Sequence, residues 1–137
     1  MLENENKNPV YACFILRGKD LDPQEVSDSI GIQPTKRFRR GDIRKGNKRW
    51  PHGYWELSSK NEVSSIDLSL HLQWLLNQLE PANSQLLKII KKDSVCAEIR
   101  CLWVLPIEYV NLSIDSELLS KIAYLGLSLE IDIYCPD

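Results

Sequence analysis

Between Lys36 and Arg49 the chain carries eight basic side chains and one acid, Asp42. That local balance of +7 sits in a chain of net charge −2, so the other residues together carry −9. Clustered Lys and Arg can neutralise phosphates or meet carboxylates, and aromatic rings between them can stack on bases or anchor a protein partner. The candidate binding residues are Lys36, Arg37, Arg39, Arg40, Arg44, Lys45, Lys48, Arg49, Trp50, His52 and Trp55, with Phe38 and Tyr54 interleaved. The plainest reading is a solvated loop leaning on the protein's own acidic surface or on a twin subunit. A second is docking of an acidic protein partner, with charge steering the encounter. A third is phosphate or single-stranded nucleic-acid binding, opposed by the acidic remainder of the chain, because a nucleic-acid binder shows a broader basic face.

Other chemistry is thinly represented. His52 lies beside Trp50 and Tyr54 without a nucleophile or carboxylate at fixed spacing. His71 flanks a leucine face and reads as a boundary residue with a satisfied ring. Glu98, Glu130 and Asp132 can gather on one sheet face, but with Arg100 among them they read as a structural charge network rather than an acid–base pair. Cys13, Cys96, Cys101 and Cys135 form no C-x-x-C pair, so they read as small buried thiols of a reducing cytosol. Gly41 and Gly46 lack the strand-to-helix context of a phosphate-cradling loop. No catalytic residue, metal or cofactor is expected, and the chain reads as a non-enzyme.

The surrounding elements must position this segment. Val10 to Arg17 is apolar at both parities and suits a strand covered on both faces. Asp22-Pro23-Gln24-Glu25 opens a short helix that ends near Gly31. The segment 33–52 reads as a long loop, and Gly53 to Ser58 as a short strand. Ser64 or Ser65 opens a helix with two ridges, Leu68/Leu72/Leu75/Leu76/Leu79 and Ile66/Leu70/Trp74. The second ridge is a candidate homodimer surface. Pro81 breaks the helix, and a further helical stretch runs to Lys92. Val95 to Leu105 alternates as a strand ended by Pro106. Asp115 caps a helix stopped by Gly126, and Leu127 to Tyr134 alternates as a last strand.

At 137 residues this is one domain, long enough to bury its own core. Residues 1–8 read as a disordered arm without signal-peptide features, and 9–137 as a single α+β domain. No apolar run is long enough to span a bilayer. Removing the middle helices leaves two strand–helix–strand halves. That is a ferredoxin-like two-layer sandwich (β-α-β, inserted helices, β-α-β) with an antiparallel or mixed sheet, its first and third strands central.

Five motifs carry a resemblance: "LRGKDLDPQEVSDSIGIQPTK", Gly41-Asp42 after a basic run, "YWEL", "LSLHLQWLLNQLEP" and "LSLEIDIY". In this order and spacing, from about Tyr11 to Tyr134, the chain resembles the bacterial family called domain of unknown function 4279. The resemblance implies a small, cytoplasmic, usually stand-alone α+β domain, and it supplies no catalytic residues. The expected function is a non-enzymatic binding or interaction module, adaptor or immunity-like by analogy, using the basic loop. The alternative is phosphate or single-stranded nucleic-acid binding through the same loop.

Overall fold

The computed structural model describes residues 10–105 and 111–135. The expected arm 1–8 and the strand-ending Pro106 lie outside the described residues. The elements are β1 (Val10–Gly18), α1 (Pro23–Ile30), β2 (Lys36–Phe38), β3 (Gly53–Ser58), α2 (Leu68–Leu79), a 3-10 turn (Glu80–Ala82), α3 (Asn83–Ile90), β4 (Val95–Val104), α4 (Ser116–Tyr124) and β5 (Ser128–Tyr134). They form a two-layer α+β sandwich around one mixed five-stranded sheet, ordered β2-β3-β1-β4-β5. All pairs are antiparallel except β4 with β5.

The ferredoxin-like order is not confirmed in the expected form. The expected halves treated Val10–Arg17 and Gly53–Ser58 as the two strands of one β-α-β unit. In the structure they are antiparallel neighbours. The strand that returns parallel to β1 after α1 is β2, drawn from the basic segment, and β3 lies between the two. In the same way β4 runs parallel to β3 with β1 between them. The last strand, β5, is an adjacent parallel strand joined to β4 through α4.

One face of the sheet makes the core. Val10, Ala12, Phe14 and Leu16 of β1 are wholly buried, with Trp55 of β3 and Ile99 of β4, against Leu68, Leu72, Leu75 and Leu79 of α2. Burying each such side chain contributes about 1.5–3 kcal/mol, so this row dominates stability. The inserted helix α2 therefore lies along β1 on the covered face and leaves the other face open. Local signals set the helix ends. Asp22 accepts the Gln24 amide (2.9 Å) and Asp115 the Leu118 amide (2.9 Å). Gly31 closes α1 at φ 72°, a conformation that suits glycine.

Two expectations about the long helix are corrected. It begins at Leu68, not at Ser64 or Ser65, because Asp67 accepts the Ser69 amide and caps it. Ile66 thus precedes the helix and is exposed, Leu70 is exposed, and Trp74 is half-buried against the core. The three do not form one helical ridge. His71 is not at a boundary: it is wholly buried. Its Nε2 faces the Ser65 carbonyl (2.8 Å), which can only accept, so Nε2 carries the proton. Its Nδ1 then accepts the Ser59 hydroxyl (2.6 Å), whose oxygen accepts the Ala12 amide of β1 (2.9 Å). This chain fastens the β3–α2 connection to the central strand.

Ser59→Ala would orphan the Ala12 amide and the His71 Nδ1 in a dry interior. Each unsatisfied group costs about 1–3 kcal/mol, so urea unfolding should show a loss in that range or above. A loss below about 0.5 kcal/mol, typical of a surface substitution, would show that the relay holds nothing.

Candidate functional site

The expected loop at 33–52 contains a three-residue strand. Lys36, Arg37 and Phe38 pair with Glu56, Trp55 and Tyr54 as the edge strand β2. Residues 39–52 then fold back as a narrow hairpin. Gly41 donates its amide to the Trp50 carbonyl (2.8 Å), Trp50 to Asp42 (2.9 Å), and Arg44 to Lys48 (2.9 Å). Ile43 bridges Arg49. Gly41 and Gly46 hold φ 93° and 73° at the bends.

A column of rings joins this hairpin to the sheet. Phe38 lies face to face with Trp50 (centroids 3.7 Å apart, 11°) and with Tyr54 (4.7 Å, 5°). The Arg44 guanidinium covers the outer face of Trp50 at 4.2 Å, and Lys36 Nζ lies 5.8 Å from the Tyr54 centroid. Each ring pair is worth about 0.5–1.5 kcal/mol beyond its buried area, and an exposed cation–ring contact about 0.5–1 kcal/mol. The ion pairs are weaker. Arg39–Asp22 (3.5 Å) and Arg40–Asp20 (3.3 Å) join exposed side chains and return about 0–1 kcal/mol each.

The structure brings most of the expected site residues together. Lys36, Arg37, Arg39, Arg40, Arg44, Lys45, Lys48 and Arg49 are all exposed, and Trp50 and His52 are half-buried. Arg37 donates to Gln24 Oε1 (2.8 Å) and Arg49 to the Gly41 carbonyl (2.8 Å). His52 tilts under Phe38 at 5.9 Å and its Nδ1 lies 3.1 Å from the Gly53 carbonyl. Trp55 is the exception and is corrected here. It is wholly buried on the helix side of β3, donates Nε1–H to Ser27 Oγ (3.0 Å) and meets Phe14 edge-on, so no ligand on the hairpin reaches it.

A second feature was missed. The open sheet face holds a hollow of about 340 Å³, lined by Tyr11, Cys13, Lys36, Tyr54, Glu56 and Asp132 among others. Glu56 accepts the Tyr54 hydroxyl (2.6 Å) and lies 3.8 Å from the Cys13 sulfur. Burial first, then the Glu56 hydrogen bond, raise the Tyr54 hydroxyl above its usual value. These side chains share a face only through the β1–β3 register, and Tyr54-x-Glu56-x-Ser58 alternation was the available signal. Beside the hollow, Glu98 meets Arg17 (2.7 Å) and Arg100 (3.5 Å), and Arg100 meets Glu130 (2.8 Å). Of the residues His52, Glu98, Glu130 and Asp132, this hollow takes in Asp132 alone.

The cysteines divide. Cys13 and Cys101 are buried, whereas Cys96 and Cys135 are exposed, which corrects the expectation for those two. Burial pushes both buried thiols up from 9.0 to about 12. A thiol held neutral in the fold but free to ionise when unfolded lends stability that is full below pH 9.0. That stability is lost as pH rises toward about 12. At neutral pH an alkylating reagent should label Cys96 and Cys135 in the native protein and spare Cys13 and Cys101. Equal labelling of all four without denaturant would contradict the burial described.

Phe38→Leu keeps an apolar side chain but removes two stacked contacts. The expected loss is about 1–3 kcal/mol in urea unfolding. A loss under about 0.5 kcal/mol would mean that the rings do not hold the hairpin.

No curated protein and no solved structure matches this chain. One family does, and its match runs over residues 8–136, nearly the whole chain. The sandwich, the hairpin and the open-face hollow all fall inside that span, and the chain belongs to the family described as Domain of unknown function (DUF4279).

Proposed function

We propose that this protein is a non-enzymatic binding module, adaptor-like or immunity-like, that docks an acidic protein partner on the hairpin that follows β2. The observation that carries this reading is an uncompensated positive charge on an ordered support. Among the described residues, the carboxylate contacts of the cations between Lys36 and Arg49 are the two long pairs from Arg39 and Arg40. Lys45 and Lys48 stand exposed at the tip. A surface that keeps cations unpaired and fixes them in place is suited to steering an acidic partner, because ordering it costs little on binding.

Single-stranded nucleic acid is the second reading, and the ring column weighs against it. Phe38 has both faces occupied, and Arg44 lies on the outer face of Trp50. A base must displace Arg44 before it can stack. We also read the two interleaved split units as a ferredoxin-like core with α4 and β5 appended, on the strand order β2-β3-β1-β4. Four unpaired thiols, two of them exposed, fit a reducing compartment such as the cytoplasm. Among the described residues no helix is long and apolar enough to cross a membrane.

A polyglutamate peptide and a single-stranded oligonucleotide of equal charge separate the readings. The peptide should bind at low salt, weaken toward about 0.15 M salt, and bind Lys45→Glu/Lys48→Glu at least about tenfold less tightly. No binding of the peptide at low salt, or equal binding by the variant, would overturn the proposal. Tighter binding of the oligonucleotide, with quenching of tryptophan fluorescence, would move the assignment to nucleic acid.

A further inference from the structure

The two edges of this sheet differ in charge. β2 forms one edge and β5 the other. β2 carries Lys36 and Arg37 and runs directly into Arg39 and Arg40. β5, SLEIDIY, carries Glu130 and Asp132 and no basic residue. Among the described residues Asp132 has no ion pair, and Glu130 has Arg100.

Among the described residues no strand pairs with the outer side of β5. β5 is seven residues long, contains no proline or lysine, and pairs with β4 without a skipped position from Ser128 to Tyr134. Natural edges of this length are usually blunted by such devices. Leu105 donates its amide to the Tyr134 carbonyl (2.8 Å), so Tyr134 points its backbone groups toward β4. The two-residue alternation of a strand then turns the amides and carbonyls of Leu129, Ile131 and Ile133 outward. Ile133 and Tyr134 remain 58% and 59% exposed.

What can cover this edge is limited by its acids. Three antiparallel registers about a twofold axis let a second β5 pair through at least two of these outward residues. Centred on Glu130, the pairing opposes Glu130 to Glu130. Centred on Ile131, it opposes Glu130 to Asp132 twice. Centred on Asp132, it opposes Asp132 to Asp132. Like charges directly across a strand pair are destabilising, so β5 is guarded against itself while open to a basic strand.

The fitting basic strand is β2. Lys36 and Asp132 both line the hollow of the open face, so they project from the same side of the sheet. If β2 of one copy extends the sheet past β5 of another, Lys36 faces Asp132 or Glu130 across the junction. We infer that the β5 edge of this chain accepts the basic β2 edge of a second copy, head to tail. This inference rests on the reading of the basic segment as an acceptor of acidic protein surface, extends it from the hairpin to β2, and names that surface. Trp50 stacks on the side of Phe38 away from Tyr54, so the part of β2 open to a further strand is its Lys36–Arg37 end; the ladder is short, and the contact depends on charge and weakens with salt. A head-to-tail contact does not close on two copies, so the mean size grows with concentration.

Sedimentation velocity over a concentration series tests it. The wild type should grow beyond the monomer at low salt and return to it when salt is raised. Asp132→Lys and Lys36→Glu, each checked for native circular dichroism, should associate at least about tenfold less tightly. An equimolar mixture of the two should regain assembly, because each variant's altered edge then meets an opposite charge. A wild type that stays monomeric at low salt and high concentration would overturn the inference, as would assembly undiminished in Lys36→Glu. Asp132→Lys leaves the hairpin intact, so its binding to polyglutamate reports on the hairpin reading separately. Retained peptide binding with a monomeric wild type would sink the assembly and leave that reading standing.

Discussion

A segment carrying +7 repels itself, and three stacked rings decide whether it is a tether or a surface. Ordering each residue costs about 1–2 kcal/mol of conformational entropy. The two exposed ion pairs at its base return at most about 1 kcal/mol apiece. The Phe38 ring, buried between Trp50 and Tyr54, contributes more than both, and it does so at the junction where β2 becomes the hairpin. Arg44 then lies over the Trp50 ring, so one cation is fixed by the same column that displays the others.

The column can stand there because β3 reads differently on its two faces. Gly53, Trp55 and Leu57 go into the core, while Tyr54 and Glu56 look outward beside β2. Gly53 is held close to the β1–α1 connection, where a Cβ would drive into the Leu21 carbonyl. That contact sets where β3 begins and therefore which ring Phe38 meets. The same alternation makes the open face a polar surface, with Glu56 and the Arg17–Glu98–Arg100–Glu130 chain of charges spread across strands that come together only in three dimensions.

Local signals in the sequence were legible because local chemistry causes them. Asp22-Pro23 and Asp115 cap helices wherever they fold, and the alternation of Val95–Val104 survives into β4 unchanged. Lys36-Arg37-Phe38 gave no such signal. Three residues with two charges become a strand only because β3 offers a ladder, and without β2 the split units could not be recognised. The expected halves therefore joined the wrong strands. Trp55 was misplaced although its parity with Leu57 marked it as inward-facing. Ile66 has the spacing of a helical ridge but precedes the helix, because Asp67 caps it one residue later. Most of the binding cluster was legible as charge density; its rigidity was not, because ring stacking depends on register.

Amide hydrogen exchange on the intact wild-type protein tests the central claim most directly. A fixed hairpin predicts that the amides of Gly41, Arg44 and Trp50, each donating across the turn, exchange much more slowly than their unfolded rates. Lys45 and Lys48 at the tip serve as exposed references. If Gly41, Arg44 and Trp50 exchange as fast as an unfolded chain while β1 stays protected, the basic segment is a loose tether and the account of a preformed cationic surface is wrong.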